Sequence, residues 1–140
     1  MTGPERRAEK RRAVCLAALG WAGLAAAYTL LVPGGAAEVP AGLSAILRSC
    51  LWLPIAEELI FRGALLRILQ PLGRNAALLG QAVLFAAVHG TPVQKGYAFG
   101  MGLIFGWAAQ ATGSPVPGMV LHILNNGAVL ARCLAERGTP

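Results

Sequence analysis

Pro54-Ile55-Ala56-Glu57-Glu58-Leu59-Ile60-Phe61-Arg62-Gly63 sets two carboxylates and a guanidinium inside an otherwise apolar run. Charges in such surroundings cost on the order of several kcal/mol each unless they are paired or reach a water-filled cavity. Helical spacing puts Glu58 and Arg62 four apart on one face, while Glu57 points about 100° away, with Phe61 on its own face. One carboxylate therefore has a built-in counter-ion and the other does not. The pattern predicts a division of labour: Glu58 with Arg62 holds the structure, and Glu57 is left free for chemistry. The purely structural alternative is a buried ion pair beside one glutamate that reaches an interface.

The surroundings of this stretch decide the class of fold. The chain has 140 residues, is 56% hydrophobic and 13% charged, and has a mean hydropathy of +0.59; soluble domains carry about a quarter of charged residues. That predicts an all-α, polytopic membrane protein, one helical bundle of about five transmembrane helices with no room for a separate soluble domain. The formal charge is +6, but five of the twelve basic residues are Arg6, Arg7, Lys10, Arg11 and Arg12, just before the first apolar run. This is the positive-inside pattern of a multi-pass protein of the cell inner membrane with a cytoplasmic N-terminus, and it accounts for the charge without a nucleic-acid partner. Cys15, Cys50 and Cys133 are odd in number and lack a CxxC spacing, so they read as small apolar residues and not as a disulfide framework or a metal site.

Three regions follow. Residues 1–12 are a mobile basic cytoplasmic tail. Residues 13–41 are an uncleaved signal anchor, a helix from Val14 to Val32 ended by Pro33-Gly34-Gly35, and an outer loop carrying only Glu38. Residues 42–134 are the core. Its first helix, from Gly42 to Gln70, would be roughly 43 Å long against a hydrocarbon layer of roughly 30 Å, so it must tilt, kink or extend beyond it. Pro54 is the expected kink and leaves the carbonyl of Cys50 without its helical donor. Further helices are expected from Asn75 to His89, from Val93 to Ala111, and from Pro117 to Leu134 after the turn Thr112-Gly113-Ser114-Pro115-Val116-Pro117. Gly96 with Gly100, and Gly102 with Gly106, each offer a surface for close helix packing. Five crossings put Arg67 and Arg74 inside, in keeping with the charge rule, and Arg132 and Arg137 outside, against it.

The two histidines, His89 and His122, both fall in apolar helices. His122 and Asn126 are four apart and share a face, Asn125 lies off that face, and His89 has Phe85 one turn back. Counted along the helices, Glu57 and His89 lie about 20 Å from the inner end, whereas His122 lies only about 8 Å in. His122 joins the others only if the turn at 113–117 dips into the bundle, which the absence of any charged residue from Gly96 to Ala131 allows. Peptide hydrolysis needs a base to deprotonate water and donors for the oxyanion: Glu57 suits the first, His122 and Asn126 the second.

Glu57-Glu58-x-x-x-Arg62, Phe85-x-x-x-His89 and His122-x-x-x-Asn126 resemble, in order, the three motifs of the CPBP family. That family comprises CAAX prenyl endopeptidases of the second type and bacteriocin-processing and immunity proteins. Similar too are Phe61-Arg62-Gly63, the glycine-rich helix before Thr112-Gly113-Ser114, and the proline before the last histidine. The match spans about Gly42 to Leu134. The resemblance implies an intramembrane endopeptidase needing no cofactor, in which Glu57 with His89 activates water, His122 and Asn126 stabilise the oxyanion, and Glu58, Arg62 and Phe85 complete and brace the site. Its partners would be a peptide or protein substrate and the lipid bilayer. A peptide leader, a C-terminal sorting tail and a prenylated peptide are all open as substrates.

Other readings use the same residues. A zinc protease would take Glu57, His89 and His122 as ligands, without an HExxH motif. A haem-binding electron carrier would use His89 and His122 as axial ligands but leaves Glu57, Glu58 and Arg62 without a task. A non-catalytic immunity or binding scaffold, or an ion pathway through Glu57, would keep the fold without the chemistry.

Overall fold

A computed structural model describes residues 2–32, 40 and 42–137, and among these it contains five helices and no strand. Helix α1 runs Gly3–Leu31, α2 covers residues 43–69, α3 is Arg74–Ala87, α4 Pro92–Thr112 and α5 Val116–Arg137. The loop expected from Pro33-Gly34-Gly35 through Glu38 lies outside the described residues. Among the described helices, α1 and α5 are long and apolar enough to cross a membrane by length and composition. Helix α3 has only 14 residues, and α2 carries the central charges.

The basic N-terminal segment, expected as a tail, is helical from Gly3 onward. It is the first three turns of α1, opened by Thr2, whose N–H donates to Glu5 Oε2 at 2.7 Å, with Pro4 in the first turn. Its Arg, Lys, Glu and Ala residues are strong helix formers, and propensity with capping continues the apolar helix outward.

Helix α2 is continuous, but two of its segments, Arg48–Trp52 and Leu59–Leu65, are π-helical. The Leu53 N–H bonds to the Arg48 carbonyl and the Leu66 N–H to the Phe61 carbonyl, each five residues back. This changes the expected effect of Pro54. In a π turn the missing Pro54 donor orphans the carbonyl of Ser49 instead of that of Cys50, and Asn126 Nδ2 fills the gap, donating to Ser49 O at 2.9 Å. The turn bearing Glu57 and Glu58 is thus held between two widened turns.

Small residues make up much of the interior, around the buried rings of Phe85 and Phe105, while many large aliphatic ones lie outside. Ala17, Ala77, Ala82, Ala98 and Ala108 are buried, whereas Leu19, Leu30, Trp52, Ile60, Ile68, Val83 and Leu124 are exposed. Water would penalise so much exposed aliphatic surface; a bilayer does not, and there backbones gain by approaching closely. A Cβ on Gly102 would stand 2.9 Å from the Ala82 backbone, so the glycine sets the α3–α4 distance, reinforced by Gln81 Nε2 donating to the Gly102 carbonyl at 2.7 Å. Gly106 would meet Leu78 and Gln81 of the same helix. Gly100 packs instead on Leu24 of α1, and Gly20 on Ile104, so α1 and α4 run antiparallel. Gly96 has open space around it and is not a packing glycine, contrary to the pairing expected from its spacing.

Thr91 and Gln94 form a reciprocal cap at the start of α4, with Thr91 N–H to Gln94 Oε1 at 2.9 Å and Gln94 N–H to Thr91 Oγ1 at 3.2 Å. Gly113, at φ +73°, ends α4 and turns the chain into α5.

Candidate active site

The α4–α5 turn does dip into the bundle. Gly113, Ser114 and Pro115 stand beside Arg62 and Leu66 of α2 and Gln70 at its end. Six residues into α5, His122 therefore arrives level with the two glutamates. Gly118 makes this approach possible, since a Cβ there would collide with Glu58 Oε2.

Glu58 is fully buried, and its Oε1 lies 2.9 Å from Arg62 Nη1 and 3.1 Å from His122 Nδ1. A carboxylate only accepts, so in that contact His122 donates from Nδ1 and its Nε2 points onward. Nε2 is 3.6 Å from Oε2 of Glu57, whose side chain is 32% exposed. The paired and the open carboxylate are thus the two that the helical spacing distinguishes, and one imidazole touches both.

Phe85 is the apolar hub. Its ring is fully buried and meets Phe61 at 5.1 Å, His89 at 4.7 Å and His122 at 5.8 Å between centroids. The Arg62 guanidinium lies over its face at 4.2 Å. Phe85 thus stands against both imidazoles. His89 is not inside a helix, as its apolar context suggested, but two residues past the end of α3, where its Nδ1 is 2.8 Å from the Phe85 carbonyl. The carbonyl can only accept, so Nδ1 carries a proton and the Nε2 edge of the ring is turned away from this contact. His89 makes no ion pair with Glu57 among the described residues; its link to the site is Phe85. Among the described residues no three His, Cys, Asp or Glu side chains are gathered around one point in this arrangement.

Asn126, on the His122 face, spends one amide hydrogen on Ser49 and accepts from Asn125 Nδ2 at 3.2 Å. Sequence reasoning set Asn125 aside, yet it is buried and its Oδ1 accepts from Tyr97 Oη at 2.5 Å and Trp21 Nε1 at 3.2 Å, joining α1, α4 and α5. The signal was present: an indole N–H and a phenol in apolar helices each need an acceptor.

The family model described as type II CAAX prenyl endopeptidase Rce1-like matches residues 39–128, well over half of the chain. No curated protein and no solved structure matches. The matched segment contains Glu57, Glu58, Arg62, Phe85, His89, His122 and Asn126, the residues that form this buried cluster and its supports. The chain therefore belongs to the type II CAAX prenyl endopeptidase Rce1-like family, a CPBP family of membrane-embedded proteases.

Proposed function

We propose that the chain is a multi-pass intramembrane endopeptidase in which Glu57 takes a proton from water. The observation that carries this reading is the double contact of His122, with Nδ1 on buried Glu58 and Nε2 beside half-open Glu57. Glu57 withdraws the proton, the resulting hydroxide attacks the peptide carbonyl, and Glu57 returns the proton to the departing amine. Protonated, His122 offers Nε2–H to the oxyanion with Glu58 as counter-ion, and Asn126 offers its second amide hydrogen. In its neutral form, with Nδ1–H on the Phe85 carbonyl, His89 accepts the other hydrogen of the water at Nε2. Glu58, Arg62 and Phe85 hold these groups in place.

The substrate is a peptide or protein whose scissile bond reaches this depth in the bundle. The basic start of α1, with Arg67 and Arg74 at the same end, supports a cytoplasmic N-terminus in the inner membrane and five crossings. A reporter fused after Arg137 should then be active only outside the membrane; activity inside would reverse the topology.

Glu57→Gln, which keeps shape and removes the base, should abolish cleavage while the protein accumulates in the membrane at its normal level. Peptides trapped on this variant would identify the substrate. Normal cleavage by Glu57→Gln would remove Glu57 from the mechanism, and no cleavage by the unaltered chain would favour a scaffold.

A further inference from the structure

A cavity of about 170 Å³ lies between the last turns of α2 and the α4–α5 turn, with Arg62 in its wall. Its polar lining is Arg62, Arg67, Gln70, Gln110 and Ser114, and no carboxylate lines it. Arg62 is 2% exposed, and Nε, Nη1 and Nη2 all lack a hydrogen-bond acceptor. The 2.9 Å approach of Nη1 to Glu58 is a contact of charges, not a bond along an N–H direction. Buried guanidinium hydrogens without acceptors are costly, and an oxyanion in the cavity would satisfy them in the forked geometry that arginine prefers. Gln110 adds a requirement of the opposite kind. Its Nε2 is spent on the Arg74 carbonyl at 2.8 Å, while its buried Oε1 has no donor. The site asks for an anion that also carries a hydroxyl.

The location narrows the source. The antiparallel packing of α1 on α4 puts this cavity at the same end of the bundle as Arg6, Arg7, Lys10, Arg11 and Arg12. Beside its walls, Ile68, Leu72 and Val116 are exposed at 70%, 69% and 55%. Cations at the rim of an apolar surface suit a phosphate with acyl chains attached. The volume is that of about six waters, enough for a phosphate group and the first atoms of a polyol.

We propose that this cavity is a phosphate-binding site for the headgroup of an anionic phosphoglycerol lipid, with Arg62 and Arg67 on the phosphate and Gln110 Oε1 on a headgroup hydroxyl. The site stands independently of the peptidase reading. To test it, the full chain in detergent is equilibrated with phosphatidylglycerol, phosphatidylcholine or inorganic phosphate, with bound ligand followed by native mass spectrometry and stability by thermal melting. Phosphatidylglycerol should be held on the order of tenfold more tightly than phosphatidylcholine. Arg67→Gln should abolish that preference, and Ser114→Leu, which fills the cavity without changing charge, should do the same. Arg74→Gln, outside the lining, should leave it intact. Stabilisation by inorganic phosphate alone, lost in Arg67→Gln, would uphold the phosphate site and make its occupant a soluble anion. No preference in the unaltered chain, or equal loss in Arg67→Gln and Arg74→Gln, would overturn the proposal.

Discussion

Glu58 and His122 are 64 positions apart in sequence and 3.1 Å apart in space, whereas Glu58 and Arg62 are neighbours on one helix face. The second relation was legible from spacing alone; the first was not. Counting residues from helix ends places His122 too shallow because the count takes the α4–α5 turn to lie at the bundle's edge. What sets the true depth is Gly118, which lets α5 slide against Glu58. Gly118→Ala should therefore displace the Glu58 carboxylate and lower kcat/KM on the order of a hundredfold, as small misplacements of catalytic groups do. Unchanged cleavage kinetics would show that Glu58 can relax around the methyl group. Glu58→Gln and Arg62→Leu act differently, because each leaves a buried charge without its partner at a cost of about 3 to 5 kcal/mol. Both should lower membrane abundance in immunoblots, a loss not shared by Glu57→Gln.

At the scale of the element, α2 shows where local reading stops. Its existence, its length and the importance of Pro54 follow from the sequence. Its π turns do not, because the choice between a carbonyl four or five residues back depends on what the neighbouring helix can supply. Asn126 supplies a donor to Ser49, and that contact makes the widened turn affordable. Asn126→Ala should destabilise the protein by about 1 kcal/mol through the bare Ser49 carbonyl. Pro54→Ala restores a backbone N–H at the position facing that carbonyl, so the double variant should recover most of the loss in melting temperature. Strictly additive effects would mean that the two residues do not serve the same carbonyl. The start of α1 teaches the converse lesson: a run of charges was read as a tail, although the same residues are good helix formers with a cap in front of them.

Across the whole molecule, many of the buried residues are small and much of the exposed surface is aliphatic; the composition pointed to an apolar helical bundle but not to which residues line it. Which glycines matter was not, since spacing groups Gly96 with Gly100 while only contact distinguishes them. Gly102→Leu should push α3 from α4 and cost about 1 to 3 kcal/mol by overpacking, read as a lower melting temperature, with Gly96→Leu as the harmless counterpart. One long-range contact has a consequence for biogenesis. Arg132 Nη2 donates to the Val32 carbonyl at 3.0 Å, across 100 positions of sequence, so the far end of α1 gains its partner only after residue 132 has been made. A ribosome arrested before codon 132 would hold a nascent chain whose leading span is still laterally unclasped, and membrane quality-control proteases should find such arrested chains easier to extract than the completed one.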